Sequence, residues 1–372
     1  MKLLVLDQYS EPGGAQQCLL DLLPAMVERG WKVTVGLPGK GELFERVGEF
    51  GIATERIACG PYSSGTKSAA DVARFVAEIP RLARQIEDLA NGLEAGLVYI
   101  NGPRLIPAAA RAELRAPVLF HSHSYLPPGP VRWMTGMCLR GMRARVVGAC
   151  RFVADPWKDY VGSEHVSVIY NGVAGPTVEQ DLGASPGGAG RAIGCIGRIA
   201  PEKGQREFLR AASVIHQAVP DCRFLVYGAA LFADPGAARY EAEVRAAAAG
   251  LPVEFPGWVA DVYAAMAKLD LVLVPSAGHE ATTRVILEAF AAGVPVIACH
   301  AGGIPEVVEH DVDGLLADST EEMARLAIGL LSGAPDRMTA MSQAARATWR
   351  RRFTLENYRE RMVKLMTPAA QV

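Results

Sequence analysis

Short apolar runs alternate with amphipathic stretches along nearly the whole chain. In the first half, Lys2–Leu6, Lys32–Gly36, Thr54–Ile57, Leu97–Ile100, Pro117–His121, Arg145–Ala149 and Val166–Ile169 read as strands. Apolar residues recurring at helical spacing predict helices over Ala15–Arg29, Leu43–Phe50, Ala69–Leu89, Leu105–Leu114 and Val131–Met142. The strand runs are continuously apolar rather than alternating, as expected when helices cover both faces of a parallel sheet. Residues 171–192 are rich in Gly, Pro and Ser and carry no hydrophobic period, which marks a linker. Beyond it the alternation restarts. Strands are expected at Ala192–Ile196, Arg223–Tyr227, Val253–Phe255, Leu271–Val274, Val296–Ala298 and Gly314–Leu316. Helices are expected at Gln205–Val219, Tyr240–Ala248, Val262–Lys268, Thr283–Ala292, Ile304–Val308 and Thr320–Leu331, with Met338–Arg351 and Leu355–Met366 closing the chain. The pattern predicts an α/β protein of two doubly wound domains, with a cleft between the carboxyl ends of two sheets where ligands bind.

Composition agrees with this size and narrows the chemistry. The 372 residues are about twice one compact domain, with 50% hydrophobic and 21% charged, which supports large cores and excludes disorder. The 38 Lys and Arg nearly cancel the 40 Asp and Glu, so no global basic field for nucleic acid exists. Seven scattered cysteines without CxxC spacing argue against a zinc ribbon, a redox pair or a disulfide framework. The opening apolar run is broken by Asp7 and reads as a first strand rather than a signal peptide. No stretch approaches the roughly 18 apolar residues that span a bilayer. The expected location is the cytoplasm, with the inner face of the membrane as a further contact.

The richest segment runs from Pro275 to Val308. Glu280 and Glu288 stand eight positions apart, Glu280 in a loop and Glu288 in the second turn of the following helix. That spacing puts the carboxylates roughly 10 Å apart on one side, able to grip two parts of an elongated polar ligand. The N–H groups of Ala281, Thr282 and Thr283 are expected to face an anion from the helix N-terminus. The bland alternative makes Glu280 a carboxylate favoured by the helix dipole.

Glu280-x7-Glu288, followed by the run 289–298 (AFAAGVPVIA) and the run 302–308 (GGIPEVV), strongly resembles the family-4 glycosyltransferases of the GT-B fold. Gly13-Gly14-Ala15, Tyr170-Asn171-Gly172-Val173, Gly197-Arg198-Ile199, Pro201-Glu202-Lys203-Gly204, Gly257-Trp258-Val259 and Pro275-Ser276 occur in the family's order, so the likeness covers the chain. The resemblance implies two Rossmann-like domains. Residues 1–173 form the acceptor side, 174–190 the linker and 191–353 the nucleotide-sugar domain, with helix 354–372 packing back on the first. It implies a retaining transferase that moves a sugar from a nucleotide sugar to a hydroxyl acceptor, without a metal or other cofactor, in glycan, glycolipid or surface polysaccharide synthesis.

Site roles follow from the same resemblance. Glu280 contacts donor-sugar hydroxyls, Glu288 the ribose, and Arg198 and Lys203 the diphosphate; the loop of Ala281, Thr282 and Thr283 lies along the donor. Two preorganised cations suit a leaving diphosphate, whose charge grows in the transition state. Gly13 and Gly14 open the first helix beside donor phosphate and acceptor, where glycines permit close backbone approach. His123 matches the family's histidine at the end of its strand, with His121 as second choice. The usual Glu-Gly-Phe-Gly is here Glu280-Ala281-Thr282-Thr283, which leaves the sugar open. Asn101-Gly102 stands where the family often has a His, and no role is assigned to it.

Two further features are weighed on the residues. Asp311-Val312-Asp313 resembles a metal-binding DxD, but its place before Gly314-Leu315-Leu316 reads as a turn. The segment Arg104–Lys158 holds nine basic residues against only Glu113 and Asp155, with Trp133, Met134, Met137 and Leu139 interleaved. It reads either as a peripheral surface for anionic lipid or a phosphorylated acceptor, centred on 131–145, or as an ordinary solvated face. The competing functions are a glycosidase, a nucleotide-sugar epimerase of the same fold, and a non-catalytic nucleotide-sugar-binding protein.

Overall fold

A computed structural model describes residues 1–60, 69–177, 190–230, 235–276, 278 and 280–367. The chain divides into two units, Met1–Asn171 with Leu355–Val372, and Gly172–Thr354. Most of the expected linker, residues 178–189, lies outside the described residues, as do 368–372 of the expected C-terminal helix.

In the first unit the strands are β1 (Lys2–Leu6), β2 (Lys32–Leu37), β3 (Ala53–Arg56), β4 (Leu97–Ile100), β5 (Val118–Ser122), β6 (Arg145–Gly148) and β7 (Val166–Val168). They form one parallel sheet in the order β3-β2-β1-β4-β5-β6-β7. The unbroken apolar run of β1 serves both faces, because successive side chains point to opposite sides. Leu3 and Val5 join Cys18, Leu19 and Leu22 of helix Gly14–Glu28. Leu4 and Leu6 instead join Leu82 and Ile86 of helix Ala69–Gly92. Burying such a side chain stabilises by roughly 1.5–3 kcal/mol, so a polar residue inside this run would be costly. The last helix, Leu355–Met366, lies on Gly14–Glu28, where Tyr358 Oη donates to the Cys18 carbonyl and Arg359 Nε to the Asp21 carbonyl (3.3 and 2.6 Å).

The second unit repeats the plan with β8 (Ala192–Ile196), β9 (Arg223–Tyr227), β10 (Val253–Gly257), β11 (Leu271–Val274), β12 (Val296–Cys299) and β13 (Leu315–Ala317), all parallel. Their order is β10-β9-β8-β11-β12-β13. Ile193, Leu271 and Leu273 pack on Phe208, Leu209 and Ala212 of helix Gln205–Ala218. Each sheet therefore reverses its strand order once, between β1 and β4 and between β8 and β11. At such switch points the loops leaving adjacent strand ends diverge, which opens the crevice where doubly wound sheets bind ligands.

Four expected helices differ. Tyr240–Ala248 begins at Pro235 and ends at Ala247. Leu105–Leu114 splits into a 3₁₀ turn, Pro103–Leu105, and helix Ile106–Arg111, because the chain becomes extended at Ala112. Ile304–Val308 is only the 3₁₀ turn Ile304–Glu306, with Pro305 in its first turn. Met338–Arg351 starts earlier, at Pro335, and ends at Thr348 in a wider π turn, Trp349–Phe353. Asp311–Asp313 is a turn: Asp311 has φ +64°, and the buried Asp313 accepts from the Glu309 N–H at 2.8 Å.

Candidate active site

In the second unit the site is built on the loops after β8 and β11. Gly197 follows β8 with φ +149°, and its N–H bonds the Tyr227 carbonyl at 3.0 Å. Arg198 comes next, and a 3₁₀ turn, Pro201–Lys203, then leads through Gly204 into helix Gln205–Ala218. Gly204 has φ +72°, and a Cβ there would strike the Pro275 carbonyl. The β8 loop thus reaches the β11 loop through a glycine that no other residue replaces without strain. Gln205, fully buried, stitches the β8 loop by donating to the Arg198 carbonyl (2.8 Å) and accepting from the Ala200 N–H (3.3 Å).

This construction brings Lys203 onto Glu280, with Nζ 2.5 Å from Oε1, both side chains largely shielded from solvent. Arg198 stands in the same loop and its guanidinium donates to Glu202. Glu280 is held from behind by the sequence Gly302-Gly303. The Gly303 N–H donates to the Glu280 carbonyl at 3.0 Å, and Gly302, at φ +59°, leaves no room for a Cβ against that carbonyl. The second glycine-rich motif is therefore the support for the first carboxylate.

Helix Arg284–Ala292 begins one residue later than expected, with Thr283 at its N-cap. Ala281, Thr282 and Thr283 precede it and are buried, so the N–H groups of the first turn begin at Arg284. The Thr282 hydroxyl is sealed from solvent and meets no hydrogen-bond partner among the described residues. Glu288 lies in the second turn, 3.5 Å from Arg284 Nε. Ala277 and His279 of this loop lie outside the described residues.

The first unit gathers polar groups at the carboxyl ends of β1, β4 and β5. Asp7, immediately after β1, is fully buried and ringed by donors: Asn101 Nδ2 at 2.6 Å, Gln16 Nε2 at 2.9 and 3.1 Å, and the Tyr9 N–H at 2.9 Å. Burial outweighs these bonds and pushes its carboxyl up to about 6. Asn101, just past β4, turns its Oδ1 to His123 Nε2 at 2.8 Å, with Tyr99 Oη at 3.3 Å. Tyr99 Oη also meets His121 Nδ1 at 2.5 Å, and the two histidine rings lie against each other, tilted by 36° with centroids 3.7 Å apart. Desolvation keeps both rings neutral, His123 down to about 3 and His121 well below its ordinary value. His123 remains partly open to solvent, whereas His121 is completely enclosed. Gly13 and Gly14 begin the adjoining helix, and the space where a Gly14 Cβ would stand is empty to 4 Å.

Arg198, Lys203, Glu280 and the loop 281–283 thus belong to one unit, together with Glu288; His123, Gly13 and Gly14 belong to the other. Sequence reasoning missed Asp7, Gln16, Tyr99 and Asn101. For Asp7 and Asn101 the signal was present, as polar residues ending the apolar runs of β1 and β4.

A family model described as Glycosyltransferase Family 4 matches residues 12–174, and one described as Glycosyl transferases group 1 matches residues 190–333. The chain belongs to the family-4-like glycosyltransferases of the GT-B fold. Among individual relatives, it is 36% identical over 170 residues to the D-inositol 3-phosphate glycosyltransferase of Segniliparus rotundus, covering 44% of this chain and 36% of that one. It is 31% identical over 186 residues to a GDP-mannose-dependent monoacylated phosphatidylinositol monomannoside mannosyltransferase of Corynebacterium glutamicum, covering 47% and 46%. These alignments span less than half the length of the curated relatives. HepE of Anabaena, solved with UDP and glucose, superposes with a TM-score of 0.81 at 25% identity, covering 99% of this chain and all of that one.

Proposed function

We propose that the protein is a retaining glycosyltransferase that moves a sugar from a nucleotide-sugar donor to a hydroxyl acceptor, without a divalent metal. The observation that carries this reading is the Lys203–Glu280 pair beside Arg198, at the switch point of the second sheet. A lysine so held by a carboxylate is ready to exchange part of that contact for an anion. Lys203 and Arg198 take the donor diphosphate, and their charges count most as the glycosidic bond breaks and negative charge builds on the leaving group. Two fixed cations supply the charge that a divalent metal would otherwise bring. Glu280 accepts hydrogen bonds from the sugar hydroxyls and Glu288 from the ribose. Because the leaving diphosphate takes the acceptor proton, no protein nucleophile is required. The open space at Gly14 admits a ligand group close to the backbone, which a side chain would block.

The complexes of HepE with UDP and glucose, and the GDP-mannose dependence of the Corynebacterium relative, support the donor class and name the two bases to test. The experiment is a thermal-shift screen of UDP- and GDP-sugars followed by transfer assays with each stabilising donor. A ligand that binds only the native state raises the melting temperature. Donor conversion without an acceptor would make the protein an epimerase. Binding without turnover across a broad acceptor panel would make it a binding protein, and hydrolysis of simple glycosides without nucleotide a glycosidase.

A lipid-linked acceptor is the second part of the proposal. Helix Pro130–Gly141 exposes Val131 and Trp133 (60% each) and Met137 (43%), with Arg140 and Arg143 exposed beside them. Apolar side chains rimmed by cations fit the headgroup layer of an anionic bilayer. This face would hold the enzyme at the inner surface of the membrane. Among the described residues, no helix is long and apolar enough to cross a membrane.

A further inference from the structure

We infer that Asn101 is a positioning residue that sets the proton of His123: its amide carbonyl takes the Nε2–H, so the ring offers the Nδ1 lone pair to a substrate hydroxyl. This deepens the transferase reading and rests on it for the identity of the hydroxyl, though not for the state of the ring. Asp7 fixes the orientation of the Asn101 amide. This carboxylate accepts from every group around it, so the Asn101 atom 2.6 Å from its Oδ2 must be the amide nitrogen. The same nitrogen lies 3.3 Å from the Ala15 carbonyl, a second acceptor, which gives the same orientation. The opposite rotamer would press the amide oxygen against a carboxylate and a carbonyl. With Nδ2 so fixed, Oδ1 faces His123 Nε2 at 2.8 Å, and a carbonyl oxygen can only accept. A neutral imidazole then carries its one hydrogen on Nε2 and its lone pair on Nδ1.

The rest of the cluster agrees. Tyr99 keeps its phenolic proton, because burial raises its pKa well above the ordinary value, and its closest partner is His121 Nδ1. Tyr99 Oη also lies 3.3 Å from Asn101 Oδ1, whose second lone pair can take that bond without displacing His123. His123 Nδ1 has no partner among the described residues and is not sealed from solvent. The desolvation that keeps this ring neutral also makes it a poor proton acceptor. Its role is to orient a hydroxyl of the acceptor or donor sugar, not to deprotonate it, which leaves that step to the departing diphosphate.

The test is a long-range proton–nitrogen correlation spectrum of the full-length chain labelled with ¹⁵N-histidine, at pH 7 and without ligand. His123 is assigned by the signal lost in His123→Gln. The expected result is a neutral ring with pyrrole-type Nε2 and pyridine-type Nδ1. A proton on Nδ1, or on both nitrogens, overturns the inference whatever the enzyme's activity. Asn101→Ala, which removes the acceptor facing Nε2, should mix the two tautomers; circular dichroism checks that it is folded. An unmixed tautomer in folded Asn101→Ala also overturns the proposal. Where transfer is measurable, the Asn101→Ala and His123→Gln double variant should lose no more than about twofold beyond His123→Gln alone, since the two act as a unit. Fully additive losses would mean that Asn101 acts elsewhere. Absence of transfer with every donor would defeat the transferase reading and leave the spectroscopic result standing.

Discussion

Acid should destabilise the N-terminal unit at a slope set by three buried groups, and single substitutions should change that slope in opposite directions. His121 and His123 are held neutral in the fold, well below 6.5 and at about 3, so between pH 6 and 4 the unfolded chain binds two protons that the folded one refuses. The stability this represents is present above pH 6.5 and is lost as pH falls. Asp7 works the other way, because its folded value of about 6 exceeds the ordinary 3.8 and the folded state takes up the proton first. Its contribution is present below pH 3.8 and is lost as pH rises to 6. The balance is one excess proton on the unfolded state, or about 1.4 kcal/mol per pH unit. From pH 6 to 4 that amounts to roughly 3 kcal/mol. For a unit of about 190 residues it corresponds to roughly 5–11 °C in melting temperature. Calorimetry at half-unit pH steps reads it directly. His123→Gln removes one of the two refused protons and should flatten the dependence, whereas Asp7→Asn removes the opposing group and should double it. All other titrating groups are common to the three proteins and cancel in the comparison. Three parallel curves would refute the assignment of these protonation states.

Lys203→Ala and Glu280→Gln should each lower transfer at least about tenfold, equivalent to roughly 1.4 kcal/mol in the barrier. Steady-state assays with the donor found by screening check this, and unchanged turnover in both variants removes the pair from the site. Gly302→Ala should destabilise the second unit by about 1–3 kcal/mol and weaken the thermal shift given by donor, because its Cβ collides with the Glu280 carbonyl. A melting curve and donor response equal to wild type would show that Glu280 does not depend on this support. Arg140→Gln with Arg143→Gln should reduce sedimentation with phosphatidylglycerol-containing vesicles about 30-fold, at about 1 kcal/mol per cation. Trp133→Ala should reduce it further, and equal binding to neutral vesicles would exclude the electrostatic part.

The central strands were legible because a buried parallel strand must be apolar on both faces, and that demand leaves runs of four or five apolar residues such as those of β1, β4 and β11. The short turns were not, since Pro305 and Ala112 end helices by backbone conformation while the side-chain pattern continues. Half of the candidate site was legible for a related reason. Glu280 and Glu288 share one loop and helix, so their spacing in the chain is nearly their spacing in space. The other half depends on strand order. Asp7 and Asn101 are hydrogen-bonded across 94 positions of sequence, and they meet only because β4 lies beside β1 instead of β2 or β3. Hydrophobic pattern carries the existence of each strand but not its neighbours, so Asp7 could be read only as the end of an apolar run. A right-handed crossover rule limits the arrangements without selecting among them. Once the switch point is known, the polar residues that end β1 and β4 must face each other, and a buried carboxylate there requires donors. Asn101 meets that requirement with one end of its amide, and the orientation this forces on the other end determines which nitrogen of His123 carries the proton.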